Sequence, residues 1–181
     1  MNLNLEQLHA QMNERFPPAD PVSTSATSST ESGDSEERET SAEIQPACQA
    51  AEFDKVGYHL NLTVEPDQIL TAAGFLDDAG FALDLISAVD WPEDNQFELV
   101  YDFLHFENPA RIVVRTRISR ESPVIDTLSE LYQGANWHER ETAEFFGITF
   151  RGHPNPIHLL LPEDFEGFPL RKDFKPTPYE S

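Results

Sequence analysis

Gln96-Phe97-Glu98-Leu99-Val100-Tyr101-Asp102-Phe103-Leu104-His105-Phe106, followed after a short break by Arg111-Ile112-Val113-Val114-Arg115-Thr116-Arg117-Ile118-Ser119, decides the fold of this chain. In the first run the odd positions are apolar, and in the second the even ones are. Alternation with a period of two puts one side of each strand in a core and the other in water. A loop at Glu107-Asn108-Pro109-Ala110 makes the pair a hairpin in which Phe103 faces Val114 and Leu99 faces Ile118. On the other face Asp102 meets Arg115, with Arg117 diagonal to Asp102 and Glu98. Arg111, Arg115, Arg117 and Arg120 crowd one strand, and cross-strand carboxylates explain them as a solvated sheet face better than a phosphate-binding surface would.

Outward from the hairpin, Tyr58–Val64 alternates as another strand. Pro66 opens a helix through about Ala79, with Ile69, Leu70, Ala73 and Leu76 inward and Gly80 ending it. Phe81, Leu83, Leu85 and Val89 mark a further strand. Ser122-Pro123 is a helix start, and the helix carries Val124, Leu128, Leu131 and Tyr132 up to Gly134. A second helix, Trp137–Phe146, opens with Asn136 and Glu139 as a capping box and stops at Gly147. The expected domain, residues 56–150, is α+β: a mainly antiparallel sheet backed by helices.

Both flanks differ from this centre. Residues 1–55 read as a disordered acidic tail. Met1–Phe16 offers at most one weak amphipathic helix, ended by Pro17-Pro18, and 11 of the 19 residues from Ser23 to Ser41 are Ser or Thr, too polar to offset their ordering entropy. Cys48 falls in this tail and receives no role. Residues 151–181 carry six prolines, which forbid helix and disfavour a central strand. They also carry apolar anchors: Ile157, Leu159, Leu160, Leu161, Phe165, Phe168, Leu170 and Phe174. Such a segment wraps its own domain or lies over a partner. Its reach of ~100 Å when extended favours the partner.

The whole chain has 181 residues, with 12 Lys and Arg against 33 Asp and Glu and a net charge of −21. That balance opposes a general grip on nucleic acid or an anionic membrane, although a salty cytoplasm would acidify any surface. No apolar run reaches the length of a membrane span. A single cysteine excludes a disulfide framework and a self-contained four-cysteine cluster. His138 and Glu141 have metal-ligand spacing, but no second helix supplies the rest of a site. Arg140 and Glu144 are spaced to pair along the helix surface. Trp137, Glu141, Glu144 and Phe145 share a face that suits an interface. His59, His105, His153 and His158 read as structural. With no phosphate loop and no nucleophile–base arrangement, the residues describe one member of a larger assembly.

One ordered string is more specific. Asn136-Trp137-His138-Glu139-Arg140-Glu141, Glu144-Phe145-Phe146-Gly147-Ile148, Gly152-His153-Pro154 and Leu160-Leu161-Pro162-Glu163-Asp164-Phe165-Glu166-Gly167-Phe168-Pro169-Leu170-Arg171-Lys172-Asp173-Phe174 closely resemble the C-type subunit of respiratory complex I, the proton-pumping NADH:quinone oxidoreductase. The resemblance spans about Val56 to Phe174, including Ser87-Ala88-Val89-Asp90-Trp91. Where the family commonly has consecutive basic residues after Gly-His-Pro, Ile157-His158 stand here.

The resemblance implies a subunit without its own cofactor, the flavin mononucleotide, iron–sulfur clusters, NADH and quinone being handled by other subunits. It implies a peripheral position on the cytoplasmic side of the inner membrane. It also implies docking on the large hydrogenase-like (D-type) subunit of complex I and on other members of the peripheral arm. The implied interface residues are Trp137, Glu139, Arg140, Glu141, Glu144, His153, Pro162, Glu163, Asp164, Gly167, Pro169, Leu170, Arg171, Lys172, Asp173 and Phe174. Arg171 and Lys172 are expected to meet carboxylates or carbonyls of the partner. Related subunits of membrane-bound hydrogenases and of ferredoxin- or deazaflavin-dependent dehydrogenases fit the same string, and a free-standing acidic binding module or chaperone is the reading from a different class.

Overall fold

The computed structural model describes residues 4–18 and 46–176; the Ser/Thr-rich stretch expected to be disordered lies outside the described residues. A five-stranded sheet organises the fold, with strand order β1-β2-β5-β4-β3. Its strands are β1 (Cys48–Ala50), β2 (Leu60–Thr63), β3 (Ala82–Trp91), β4 (Gln96–His105) and β5 (Ala110–Ser119). All neighbours are antiparallel except β2 and β5. β6 (Val124–Asp126) and β7 (Thr149–Arg151) form a small parallel pair. The helices are α1 (Leu5–Arg15), a short α2 (Phe53–Val56), α3 (Ile69–Asp78) and α4 (Ala135–Phe146). The architecture is the expected α+β sheet backed by helices.

The hairpin has the expected faces and a different register. Phe97, Leu99, Tyr101 and Phe103 are fully buried with Ile112 and Val114, but Phe103 faces Ile112, Leu99 faces Thr116 and Tyr101 faces Val114. The turn holds Phe106–Pro109, one residue earlier than expected, so each pairing slides by two and the faces survive. Charges re-pair accordingly. Arg111 reaches Asp84 at 2.8 Å and Asp102 at 3.3 Å, Arg115 lies 3.7 Å from Glu98, and Arg117 takes Asp94 at 3.1 Å. In β3 a bulge between Leu83 and Leu85 reverses the pleat. Ile86 and Asp90 therefore point inward, while Leu85 and Val89 are exposed.

Three other expectations are corrected. No helix follows Ser122-Pro123: Val124–Asp126 pairs with Thr149–Arg151 instead, because a nearby strand offers backbone partners that a helix there would forgo. In α3, Leu70 faces outward and Ala72 inward. The N-terminal boundary also moves. Leu8, Met12, Phe16 and Cys48 are buried in the main core, so α1 and β1 belong to the domain. Asn13 explains how a weak helix is held there. Its amide oxygen accepts the Cys48 N–H at 2.9 Å and its amide nitrogen donates to the Cys48 carbonyl at 3.1 Å, so a side chain closes the free edge of β1. Beneath it the Cys48 thiol lies 3.7 Å from the Met12 sulfur, and burial pushes its pKa up to about 12.

Candidate docking site

α4 carries the densest cluster of ionisable groups, and the structure turns most of them inward. Its N-cap is Gly134, without a side-chain cap bond. Glu139 is fully buried instead of closing a capping box. Its carboxylate accepts the Thr127 hydroxyl and the Leu128 N–H, the latter at 2.6 Å. It thereby fixes the turn that follows β6. Burial pushes its pKa up to about 7, against those two hydrogen bonds, which lower it. His153 Nε2 lies 3.8 Å away and bonds to the Asn136 carbonyl at 3.1 Å, while His153 Nδ1 accepts the Asn155 N–H.

Arg140 and Glu144 do not pair with each other. Both are buried, and both hold the backbone of the C-terminal strap, residues 152–176. Arg140 donates to the carbonyls of Ile157 at 2.8 Å and His158 at 2.7 Å. Glu144 accepts the N–H groups of Leu159 at 2.8 Å, Leu160 at 3.0 Å and Leu161 at 3.3 Å. This clamp reads only peptide groups, which suits a segment whose prolines deny it a partner strand. Some of the strap's apolar side chains are left facing outward: Ile157 is 59 % and Leu160 62 % exposed. Trp137 of α4 is 59 % exposed too, and Arg140, which holds the Ile157 carbonyl, lies over the Trp137 ring.

The distal part of the strap is anchored on the same domain. Arg171 Nε donates to the Phe146 carbonyl at 2.7 Å, and its guanidinium lies over the rings of Phe168 at 4.5 Å and Phe97 at 5.0 Å. The Leu170 N–H bonds to the Phe145 carbonyl at 3.2 Å. Asp90, buried on β3, accepts the Lys172 N–H at 2.8 Å and pairs with Arg120, which also reaches Asp173. Lys172 Nζ lies over the Trp91 ring, and Phe174 stacks on Phe165. Close passage requires Gly147: with φ at 72°, a Cβ there would sit 2.6 Å from the Phe168 ring.

The described strap thus packs on its own domain, one of the two placements its sequence allows, although its reach favours a partner. Arg171, Lys172 and Asp173 make their contacts within the chain. Replacing Arg171 therefore disturbs this domain's own packing.

Of the other expected interface residues, Trp137, Glu141, Pro162, Glu163, Asp164, Gly167 and Leu170 are exposed, and Pro169 is half-buried. Ile157 and Leu160, expected to be buried against the domain or a partner, are not buried by this domain and form an exposed ridge. A cleft of about 520 Å³ opens beside them, between α4, β7 and the strap, lined by Ala143, Ile148, Phe150, Pro156, Ile157 and Phe168. Sequence reasoning missed Asp90 and Arg120 as strap anchors. An acid within Ala88-Val89-Asp90-Trp91 was the available signal, hidden by the bulge that turns it inward.

Among the described residues no group of three or more His, Cys, Asp or Glu side chains could hold a metal ion. None of the described helices is long and apolar enough to cross a membrane.

Known proteins resemble this chain in sequence and in fold. The C-type subunit of the NADH-quinone oxidoreductase of Roseiflexus castenholzii is 44 % identical over 119 residues, covering 63 % of this chain and 68 % of the relative. The C-type subunit of the F(420)H(2) dehydrogenase of Methanosarcina mazei is 40 % identical over 94 residues, covering 51 % of this chain and 60 % of the relative. A chain in the structure of the membrane-bound sulfane sulfur reductase, an archaeal respiratory membrane complex, shares the fold with a TM-score of 0.66 at 24 % identity, over 94 % of this chain and 85 % of that one. The family described as the respiratory-chain NADH dehydrogenase 30 kDa subunit matches residues 62–180, which take in most of the sheet, α4 and the strap, and the chain belongs to that family.

Proposed function

We propose that this chain is a cofactor-free, non-catalytic subunit of the peripheral arm of a proton-translocating NADH:quinone oxidoreductase. It docks through the strap and α4 on the large hydrogenase-like subunit that helps form the quinone site. Membrane association, on the cytoplasmic side, comes through the complex. One observation carries the reading: the Arg140–Glu144 clamp fixes the strap by its backbone and leaves Ile157 and Leu160 exposed, with Trp137 exposed on the clamping helix. A rigid exposed apolar ridge on a small domain fits burial by a partner. Within that surface Trp137, Glu141, Glu163, Asp164 and Leu170 meet the partner, while Glu139, Arg140, Glu144 and Arg171 shape it from beneath. NADH, flavin, iron–sulfur and quinone chemistry belongs to companion subunits.

A second reading differs only in the electron donor. The Methanosarcina mazei relative is named for F420H2, so a reduced deazaflavin is the competing donor for the same assembly. Co-expression with the large hydrogenase-like partner followed by gel filtration tests the docking. Co-elution is expected, and separate elution, as a free-standing acidic module or chaperone would give, overturns it. Oxidation of NADH or of F420H2 by the assembled complex separates the donors.

A further inference from the structure

The apolar ridge lies in an acidic frame. Between Arg151 and Arg171 the strap has no Lys or Arg, and it carries Glu163, Asp164 and Glu166. These three acids sit on the loop that leaves the cleft at His158 and returns to it at Phe168. Glu141, on α4 one turn from Trp137, is the fourth. All four are exposed, and none takes part in an ion pair among the described residues. Asp84, Asp90, Asp94, Glu98, Asp102, Asp126 and Asp173 each hold an arginine, while other exposed acids such as Glu65, Asp67, Asp77 and Glu107 also go without an ion pair among the described residues. What distinguishes the four is their place: they accompany the exposed Ile157, Leu160 and Trp137, and three of them lie in a stretch with no Lys or Arg of its own.

Resting on the docking read above, we infer that the partner face covering this ridge is electropositive: apolar sockets for Ile157, Leu160 and Trp137, ringed by Lys or Arg side chains that meet Glu141, Glu163, Asp164 and Glu166. The physical reason is desolvation. Closing an interface over four uncompensated carboxylates is unfavourable unless cations meet them. A neutral or acidic partner face would be repelled by the same frame that a basic one is drawn to. Such rim charges act mainly on encounter rate and on salt dependence, while the apolar anchors set the lifetime of the complex.

The test uses the tagged full-length chain in cells that hold its companion subunits, with the captured large hydrogenase-like partner quantified by mass spectrometry. The loop variant Glu163→Lys/Asp164→Lys/Glu166→Lys is compared with the neutral Glu163→Gln/Asp164→Asn/Glu166→Gln, with Leu160→Asp, and with the natural chain at low and high salt. Thermal unfolding of each purified chain separates folding from docking. We expect at least tenfold less captured partner for the lysine variant, an intermediate loss for the neutral one, and falling capture by the natural chain as salt rises. Leu160→Asp should abolish capture. If the lysine variant docks normally while Leu160→Asp does not, the basic face is wrong and the docking reading stands. If Leu160→Asp docks normally, the ridge is not the contact and both fail.

Discussion

Glu139 shows how one buried side chain can serve structure at an energetic cost. Its carboxylate ties α4 to the turn after β6 through Thr127 and Leu128, and burial raises its pKa from 4.5 to about 7. The folded chain therefore retains this proton in a range where the unfolded chain has lost it. Stability should be highest, in this respect, below about pH 4.5 and should fall as pH rises through about 7, by ~3 kcal/mol at most. We expect the natural chain to unfold more easily in denaturant at pH 8 than at pH 6. In Glu139→Gln, which still accepts the Leu128 N–H but carries no charge, this dependence should flatten. A slope between those pH values that survives in the variant assigns the effect to another group. From the sequence, Asn136 three positions earlier makes Glu139 a capping residue. The spacing is real, but the fully buried site behind the helix offers the carboxylate better donors.

At the scale of elements, the strap depends on its clamp. Removing the charge of Glu144 leaves the N–H groups of Leu159, Leu160 and Leu161 with a weaker acceptor, worth ~1–3 kcal/mol. Because those groups lie near the surface, water should take over and the strap should loosen without global unfolding. Hydrogen exchange of Glu144→Gln is expected to accelerate at Leu159–Leu161 while β4 and β5 stay protected. Unchanged exchange at these three amides would show that other contacts hold the strap.

Elements with strong periodicity are legible in the sequence: α3 after Pro66, α4 up to Gly147, and the two faces of the hairpin. What escapes depends on relations between distant segments. The hairpin register turns on one residue of loop length, and the bulge in β3 reverses a strand's facing. β6 looks like a helix because its partner β7 lies more than twenty residues away. The candidate docking surface divides in the same manner. Trp137, Glu141, Glu163 and Asp164, expected at an interface, are exposed, whereas Arg140 and Glu144 look like a surface pair because nothing local announces a peptide lying across them.

For the molecule as a whole, α1 and β1 change the picture of an N-terminal tail. Leu8, Met12, Phe16 and Cys48 are each at most 5 % exposed. At ~1.5–3 kcal/mol per buried apolar side chain, their loss is comparable to the ~5–15 kcal/mol stability of a typical domain. Deleting Met1–Ala50, tolerable if those residues were a mere tail, should instead lower the melting temperature sharply and raise binding of a hydrophobic dye. An unchanged melting temperature would mean that α1 contributes little to the core it covers.

Membership of this family implies a place in a multisubunit NADH dehydrogenase complex. Native mass spectrometry of the complex captured through this chain, gently released from membranes of its own cells, tests that most directly. One copy of the chain is predicted in a stoichiometric assembly with the large hydrogenase-like partner and iron–sulfur subunits. Recovery of the chain alone, with no such companions under conditions that preserve membrane complexes, would contradict it.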